Sequence, residues 1–150
     1  MRAIKFFGAA LLLAVAPTAA FADAGKYERN KRNVVEFYEK SINDKNFEEA
    51  SKYLGDTYIQ HNPTAADGPE GLRGFLTFLR EKFPDSKSEI KRVFAEDDYV
   101  ILHVHSVRVP GTLGRAIIDI FRLDQNGKVV EHWDVVQDIP EKPANDNGMF

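Results

Sequence analysis

Cysteine is absent from this 150-residue sequence, and so are runs of lysine or arginine. Without cysteine, neither a disulfide nor a lipid-modified N-terminal cysteine is possible, so the fold depends on its hydrophobic core alone. The scattered basic residues and the net charge of −3 argue against nucleic acid as a partner. The chain also has no phosphate-binding loop, dinucleotide fingerprint or Ser-His-Asp pattern, so covalent catalysis is not expected.

The one long apolar stretch stands at the N-terminus. Two basic residues precede the apolar segment 6–16, and the small-x-small pattern Ala20-Phe21-Ala22 follows it. This order is typical of a secretory signal peptide, and the stretch is shorter than the roughly 20 residues of a membrane span. We expect cleavage after Ala22, which leaves 150 − 22 = 128 residues with a net charge of −3 − 2 = −5, in the periplasm or outside the cell. The alternative is a buried N-terminal helix.

Helical patterns occupy the first half of residues 23–150, which we take as one domain. Apolar side chains at helical spacing predict helices over Asn30–Asn43 and Asn46–Leu54. A third predicted helix begins at Pro69 and ends near Phe83. Between the last two, "DTYIQHNP" (residues 56–63) reads as a short extended piece.

The pattern then changes to the period of β-strands. Segments 88–96, 98–109, 114–123 and 128–136 are rich in β-branched and aromatic residues. "AEDD" and "DQNG" predict hairpin turns, with Gly127 available for a positive φ. Helices followed by an antiparallel meander predict an α+β domain, in which a curved sheet wraps around about three helices and leaves a small-molecule cavity.

Strand alternation groups the polar side chains that could carry chemistry, because every second residue shares a face. The three predicted sets are Val130, His132, Asp134 and Val136 on the last strand, Ile117, Asp119, Phe121 and Leu123 on the strand before it, and Ile101, His103, His105 and Val107 on the strand before that. We expect all three sets to face one concave surface, with His61 at its mouth.

This arrangement suits the removal of a proton next to a carbonyl group. A carboxylate in an apolar cavity loses hydration, which raises its pKa and makes it a better proton acceptor. Asp134 is the expected base, and His132, His105 or Asn62 is the expected donor to the enolate oxygen.

Each of these residues also has a purely structural interpretation. Asp134 could pair with a histidine or a backbone amide, and Asp119 could orient a histidine or a nearby arginine. His103 and His105 form an H-x-H pair that could share a metal ion with His132, although a lone pair of this kind is a weak signal. His61 could satisfy only the loop backbone.

Four segments resemble the SnoaL-like polyketide cyclase family, and most closely its branch of predicted aldol-condensation enzymes. They are "YIQHNP", "AEDDYVILHVH", "AIIDIFRLDQNGKVVEHWDVVQ" and "NDNGMF", and the resemblance runs from about Asn30 to Phe150. It implies a cone-shaped, cystatin-like barrel of the nuclear transport factor two-like superfamily, usually dimeric. It also implies an aldol step without a cofactor, in which the aspartate and histidine of the family fall on Asp134 and His132. The histidine of "QHNP" matches His61.

The sequence therefore predicts a cofactor-independent lyase or isomerase for a small carbonyl substrate. The alternative is an exported, non-catalytic binding protein for a small hydrophobic ligand. The candidate catalytic residues are Asp134, His132, Asp119, His61 and His105, and the candidate substrate-binding residues are Asn62, His103, Phe121, Phe75 and Tyr58. We expect no metal, no membrane association after signal cleavage, and a symmetric homodimer formed through the sheet face that carries Trp133 and Val135.

Overall fold

The computed structural model describes residues 18–150, with side chains from Ala24 onward. Its elements are α1 (Thr18–Tyr38), a π-helical turn (Glu39–Asn43), α2 (Phe47–Ser51), β1 (Leu54–Gln60), α3 (Gly68–Lys82), β2 (Lys87–Glu96), β3 (Tyr99–Val107), β4 (Arg115–Leu123) and β5 (Val129–Asp138). Residues 1–17, which carry most of the predicted signal peptide, lie outside the described residues. In the part that is described, none of the helices has both the length and the apolarity needed to cross a membrane.

The three predicted helices are found, with different ends. α1 starts well before Asn30 and buries Val34 and Phe37 against the sheet. The predicted second helix is too long at its C-terminal end, because Leu54 already belongs to β1. The preceding residue, Tyr53, accepts a hydrogen bond of 2.8 Å from the backbone amide of Val129, so sheet pairing replaces helix at this point.

The predicted antiparallel meander is confirmed as β2–β3–β4–β5, and it gains a fifth strand. The sheet order is β1-β5-β4-β3-β2, with β1 parallel to β5. The extended piece before the third predicted helix is therefore an edge strand of the same sheet, which stays open between β1 and β2. Irregular register between Ile90 and Arg92 and between Arg122 and Leu123 increases its local bend and twist. The predicted α+β, cone-like fold is confirmed.

The concave face of the sheet packs on α1 and α3 and forms the core. Val100, Leu102 and Val104 of β3 are fully buried there. Phe121 of β4 lies opposite Val100 on the same face. We call the opposite side of the sheet, which includes Trp133 and Val135, the outer face. The cavity lies between the concave face and the two helices.

The β4–β5 hairpin is anchored to α1 through its turn. Gly127 has the predicted positive φ, +77°, and its carbonyl oxygen accepts a hydrogen bond of 2.8 Å from Asn33 Nδ2. A Cβ on Gly127 would lie 2.8 Å from Arg29 Nε. This turn therefore fixes where β5, the strand that carries His132 and Asp134, begins relative to α1.

Gly127→Ala should destabilise the protein more than Gly111→Ala does. Both glycines have positive φ, but a Cβ on Gly111 meets no atom within 4 Å. Gly111→Ala then costs only the left-handed backbone strain, about 1–3 kcal/mol, whereas Gly127→Ala must also displace α1 side chains. Urea denaturation of both variants measures the difference. Equal losses of unfolding free energy would contradict the anchoring role of this turn.

Candidate active site

The cavity has a volume of about 440 Å³ and is lined from both the helices and the sheet. Its apolar lining includes Phe37, Leu72, Phe75, Leu79, Ile117 and Phe121. Asp119, His132 and Asp134 enter it from neighbouring strands, because Asp119 lies opposite Asp134 and Phe121 lies opposite His132 in the β4–β5 register. Sheet pairing alone therefore gathers two carboxyl groups and one imidazole.

Asp134 is held by the side chain of Asn62. Asn62 Nδ2 lies 2.8 Å from each of the two Asp134 carboxylate oxygens. The orientation of this amide is fixed, because Asn62 Oδ1 accepts a hydrogen bond from the backbone amide of Thr64 at 2.8 Å. Asn62 must therefore donate to Asp134, and the carboxylate faces the cavity in a defined position.

The protonation of one ring nitrogen of His132 is defined by its hydrogen bond. Its Nδ1 lies 3.0 Å from Gln60 Oε1, an oxygen that also accepts a hydrogen bond of 2.8 Å from the backbone amide of Asn62. Because an amide oxygen only accepts, His132 Nδ1 carries a hydrogen. The other nitrogen, Nε2, lies 3.1 Å from Asp119 Oδ1.

One proton must therefore lie between His132 Nε2 and Asp119. Either His132 is an imidazolium that donates to a carboxylate, or neutral His132 accepts from a protonated Asp119. Burial raises the pKa of Asp119, and the hydrogen bond and charge of His132 oppose that rise. The negative charge of Asp134 raises it further. Asp119 Oδ2 is buried and, among the described residues, makes no hydrogen bond.

The same three residues could in principle bind a divalent cation. One ligand atom from each of Asp119, His132 and Asp134 lies within 4.8 Å of the others. In the structure these atoms bond to protein groups, His132 to Asp119 and Asp134 to Asn62. A metal bound through His132 Nε2 would have to replace the first of these bonds.

Seven of the ten predicted site residues line the cavity. They are Asp134, His132, Asp119, Asn62, Phe121, Phe75 and Tyr58. Tyr58 is almost fully buried, and its hydroxyl oxygen lies 3.2 Å from Gln60 Nε2. Burial raises the pKa of the Tyr58 hydroxyl well above its ordinary value. The grouping of alternate residues on β4 and β5 is thus correct.

The prediction that His103 and His105 face the cavity is wrong. His103 Nδ1 contacts Arg92 Nη1 at 3.0 Å, and His105 Nε2 contacts the carbonyl oxygen of Leu113 at 2.8 Å. Both imidazoles lie on the outer face, because the alternate residues of β3 are apolar and take the core side. The alternative of a metal ion shared by His103, His105 and His132 is not supported, because the first two imidazoles lie on the opposite face of the sheet from the third.

The prediction that His61 lies at the cavity mouth is wrong as well. Its ring stacks on Trp133 on the outer face, with centroids 4.5 Å apart, and its Nε2 lies 2.8 Å from Glu131 Oε1. The physical reason is alternation: Tyr58 and Gln60 point into the cavity from β1, so His61 points away from it.

Gln60 is the residue that sequence reasoning missed. It lies opposite His132 in the parallel β1–β5 register and sets the tautomer of that histidine. Counting alternate residues from Tyr58 would have placed Gln60 in the cavity. Arg108, Arg115 and a group of serines also line it, and no motif singled them out.

Asp119→Asn tests the buried carboxyl group through the pH dependence of stability. The folded protein holds this proton to higher pH than the unfolded chain does, since the pKa of Asp119 is raised from its ordinary 3.8. Its contribution to stability is therefore fully present in acid and is lost as the pH rises through the folded pKa. We expect the melting temperature of Asp119→Asn, relative to that of the wild type, to increase from acid to neutral pH. Asp98→Asn, which changes an exposed carboxylate, is the control, and a constant difference between Asp119→Asn and the wild type would contradict the argument.

Comparison with known proteins agrees with this fold. The SnoaL-like polyketide cyclase family model matches residues 32–142. No curated protein matches the chain. Similar solved structures include a candidate polyketide cyclase of Bacillus cereus (TM-score 0.62, 20% identity, 72% of this chain and 74% of that one) and the candidate hydroxylase AclR of Streptomyces galilaeus (TM-score 0.60, 20% identity, 74% and 90%). A SnoaL-like protein of unknown function from Burkholderia thailandensis aligns at a TM-score of 0.62 with 14% identity over 73% and 96%.

These identities are low, so the structural likeness shows a shared fold. The family model, in contrast, covers most of the chain, including the strands that carry Asp119, His132 and Asp134. The chain belongs to the SnoaL-like polyketide cyclase family.

Proposed function

We propose that this protein is a cofactor-independent lyase or isomerase in which Asp134 removes a proton next to the carbonyl group of a small substrate. The observation that carries the proposal is the pair of contacts between Asn62 Nδ2 and the Asp134 carboxylate, 2.8 Å to each oxygen. They hold a carboxylate in a fixed position facing a cavity, which is the geometry that a general base needs. Asn62 is here a positioning residue.

His132 is the group that we assign to the substrate oxygen. Of the three donors expected from the sequence, His105 lies on the outer face, and the amide nitrogen of Asn62 is bound to Asp134. His132 remains inside the cavity with its Nδ1 bonded to Gln60, and the proposed step uses the proton between its Nε2 and Asp119 Oδ1, a 3.1 Å contact that opens to present this proton to the substrate oxygen. A donor at this position would stabilise the negative charge that develops on an enolate oxygen.

In the proposed aldol step, Asp134 takes the α-proton and leaves its electron pair in the enolate. The enolate carbon then forms a bond to a second carbonyl carbon of the same substrate. The oxygen of that carbonyl becomes an alkoxide and takes a proton from the His132–Asp119 pair. Proton return from Asp134 to this pair restores the site, so the product is an isomer of the substrate and no co-reactant is consumed.

Asp134→Asn should abolish proton abstraction while the fold persists. The test is deuterium incorporation at the α-carbon of small ketones and 1,3-dicarbonyl compounds in heavy water, followed by NMR, since exchange needs no knowledge of the final product. Loss of a general base is expected to lower the rate by about 10²–10⁴-fold. Asp98→Asn, with its carboxylate on an exposed hairpin turn, should keep the wild-type rate.

The outcome that contradicts this mechanism is an exchange rate in Asp134→Asn equal to that of the wild type. Circular dichroism and thermal melting show whether each variant is folded. Metal analysis of the purified protein separates a metal-assisted route, because that route requires a stoichiometric ion at Asp119, His132 and Asp134.

The second candidate is a non-catalytic binding protein for a small hydrophobic ligand. It is favoured by the hydrogen bonds that Asp134 and His132 already make inside the protein, because such groups can orient a ligand without reacting. Native mass spectrometry of protein from its own host distinguishes the two functions. A retained, unchanged ligand together with no α-proton exchange would support binding, whereas a mixture of substrate and product would support catalysis.

We further propose that the protein is exported and forms a homodimer through the outer face of its sheet. Exposed apolar side chains on that face include Phe94 and Val135, at 56% and 67% exposure. Apolar side chains grouped on one face are typical of a protein–protein interface. N-terminal sequencing of the exported protein would test cleavage after Ala22.

Val135→Lys should convert the proposed dimer to a monomer, because it replaces a strongly exposed apolar side chain of the outer face by a charge. Size-exclusion chromatography with light scattering measures the mass. Phe78→Lys is the matched control, since Phe78 is exposed to 42% but lies on α3, away from the outer face. A wild type that is monomeric at micromolar concentration, or a Val135→Lys variant that stays dimeric, would contradict this arrangement.

A further inference from the structure

A second polar region of the cavity lies at the end away from Asp134. Arg108 and Arg115 line this end, together with Ser86, Ser88 and Ser106. None of these five residues has a part in the proton transfer proposed above. We call them the arginine end of the cavity.

Arg108 is a half-buried cation without a carboxylate partner. Its guanidinium carbon lies 5.7 Å from the ring centroid of Phe83 and 6.0 Å from that of Phe75. Among the side chains that the structure describes, from Ala24 onward, none forms a salt bridge with Arg108, whereas Arg115 pairs with Asp138. The desolvation of Arg108 and the like charge of Arg115 lower the pKa of Arg108, although it remains charged at neutral pH. This half-buried guanidinium is therefore available to pair with an anionic group of a ligand.

The charge of the arginine end fits a monoanion. Arg115 Nε contacts Asp138 Oδ1 at 2.9 Å, so this carboxylate balances one of the two guanidinium groups. One positive charge remains, on Arg108. The planar guanidinium fork matches the geometry of a carboxylate, with two parallel hydrogen bonds.

The serine hydroxyls add neutral donors to this end. Ser88 Oγ and Ser106 Oγ are hydrogen-bonded to each other at 3.0 Å. Ser86 Oγ is buried and has no hydrogen-bond partner among the described residues. A buried hydroxyl left without a partner is unfavourable, and a bound anion would satisfy it.

The two ends are separated along one strand. Arg115 and Asp119 share the concave face of β4 and are four residues apart, which corresponds to about 13 Å between their Cα positions at 3.3 Å per residue. Ile117 lies between them and lines the apolar middle of the cavity. An anion bound at the arginine end is thereby kept away from the negative charge of Asp134.

We infer that the ligand of this cavity is a keto acid, with its carboxylate on Arg108 and the serine hydroxyls and its carbonyl group at His132 and Asp134. This inference rests on the proposed function for the carbonyl end alone. The carboxylate site is inferred independently, from Arg108, which has no carboxylate partner among the described side chains, and from the Ser86 hydroxyl, which has no hydrogen-bond partner there.

The test is binding rather than turnover. The probes are straight-chain keto acids from 4-oxopentanoate to 8-oxononanoate and their methyl esters, which keep the ketone and remove the charge. Titration calorimetry or ligand-observed NMR on the full chain measures both series. We expect at least one acid to bind roughly tenfold to a hundredfold more tightly than its ester. Arg108→Gln should remove this preference, while Arg92→Gln, which removes a guanidinium from the outer face, should keep it.

Several results would overturn the inference: equal binding of acid and ester, no binding of either at millimolar concentration, or a preference that survives in Arg108→Gln. Repeating the titration with Asp134→Asn separates it from the proposed function. Tight, Arg108-dependent binding of acids with no α-proton exchange in the wild type would refute the catalysis and keep the keto-acid site. Rapid exchange with neutral ketones and no preference for acids would do the reverse.

Discussion

The parallel pairing of β1 with β5 is the constraint on which the candidate site depends. It places Gln60 beside His132 and brings the residue two further along, Asn62, to Asp134, although these partners are 72 residues apart in the sequence. Without that pairing, His132 would lose the acceptor that fixes its tautomer, and Asp134 would lose its only side-chain donor among the described residues. An edge strand of seven residues thus orients two groups that belong to the strand beside it.

The site also has to accommodate two carboxyl groups that face each other across β4 and β5. Asp119 and Asp134 are paired in register, so two negative charges at these positions would repel each other at short range inside the cavity. The structure resolves this by giving them different surroundings: Asp119 shares a proton with His132, and Asp134 receives hydrogen bonds from a neutral amide. Two carboxyl groups with distinct environments can take distinct roles, one associated with the donor and one as the base.

Much of this arrangement could be predicted from the sequence, because alternation on β4 and β5 is a local property. It correctly grouped Asp119 with Phe121 and His132 with Asp134. Alternation does not say which of the two faces is buried, and on β3 the choice was decided by Val100, Leu102 and Val104. Those three apolar side chains take the core, which leaves His103 and His105 outside. The comparison of the two alternate sets on β3 was available from the sequence and would have corrected the assignment.

The contribution of Gln60 could not have been predicted in the same way. Its role depends on a parallel register between segments that are far apart in the chain, and the alternation of a single strand fixes the face that a residue takes, not the residue of another strand that lies beside it. The same holds for Arg108, which lies just beyond the end of β3 and approaches Phe75 and Phe83 only after α3 has packed on the sheet. The pattern of one strand does not predict a role that depends on contacts between segments far apart in the chain.

The two ends of the cavity are lined by different parts of the sheet, so the groups proposed for proton transfer lie apart from those proposed to bind the carboxylate of the ligand. Asp119 lies in the middle of β4, between β3 and β5, and Asp134 lies opposite it on β5, where Asn62 binds its carboxylate from just beyond the end of β1. Arg108 and Arg115 lie at the strand ends beside the loop 108–114, where substitutions disturb fewer sheet hydrogen bonds. A cone of this kind can therefore change the charge or length of the ligand that it accepts through its rim, while the central acid, amide and imidazole keep their geometry. In this chain the rim carries an uncompensated positive charge, so ligand charge is the property by which we expect it to select among carbonyl compounds.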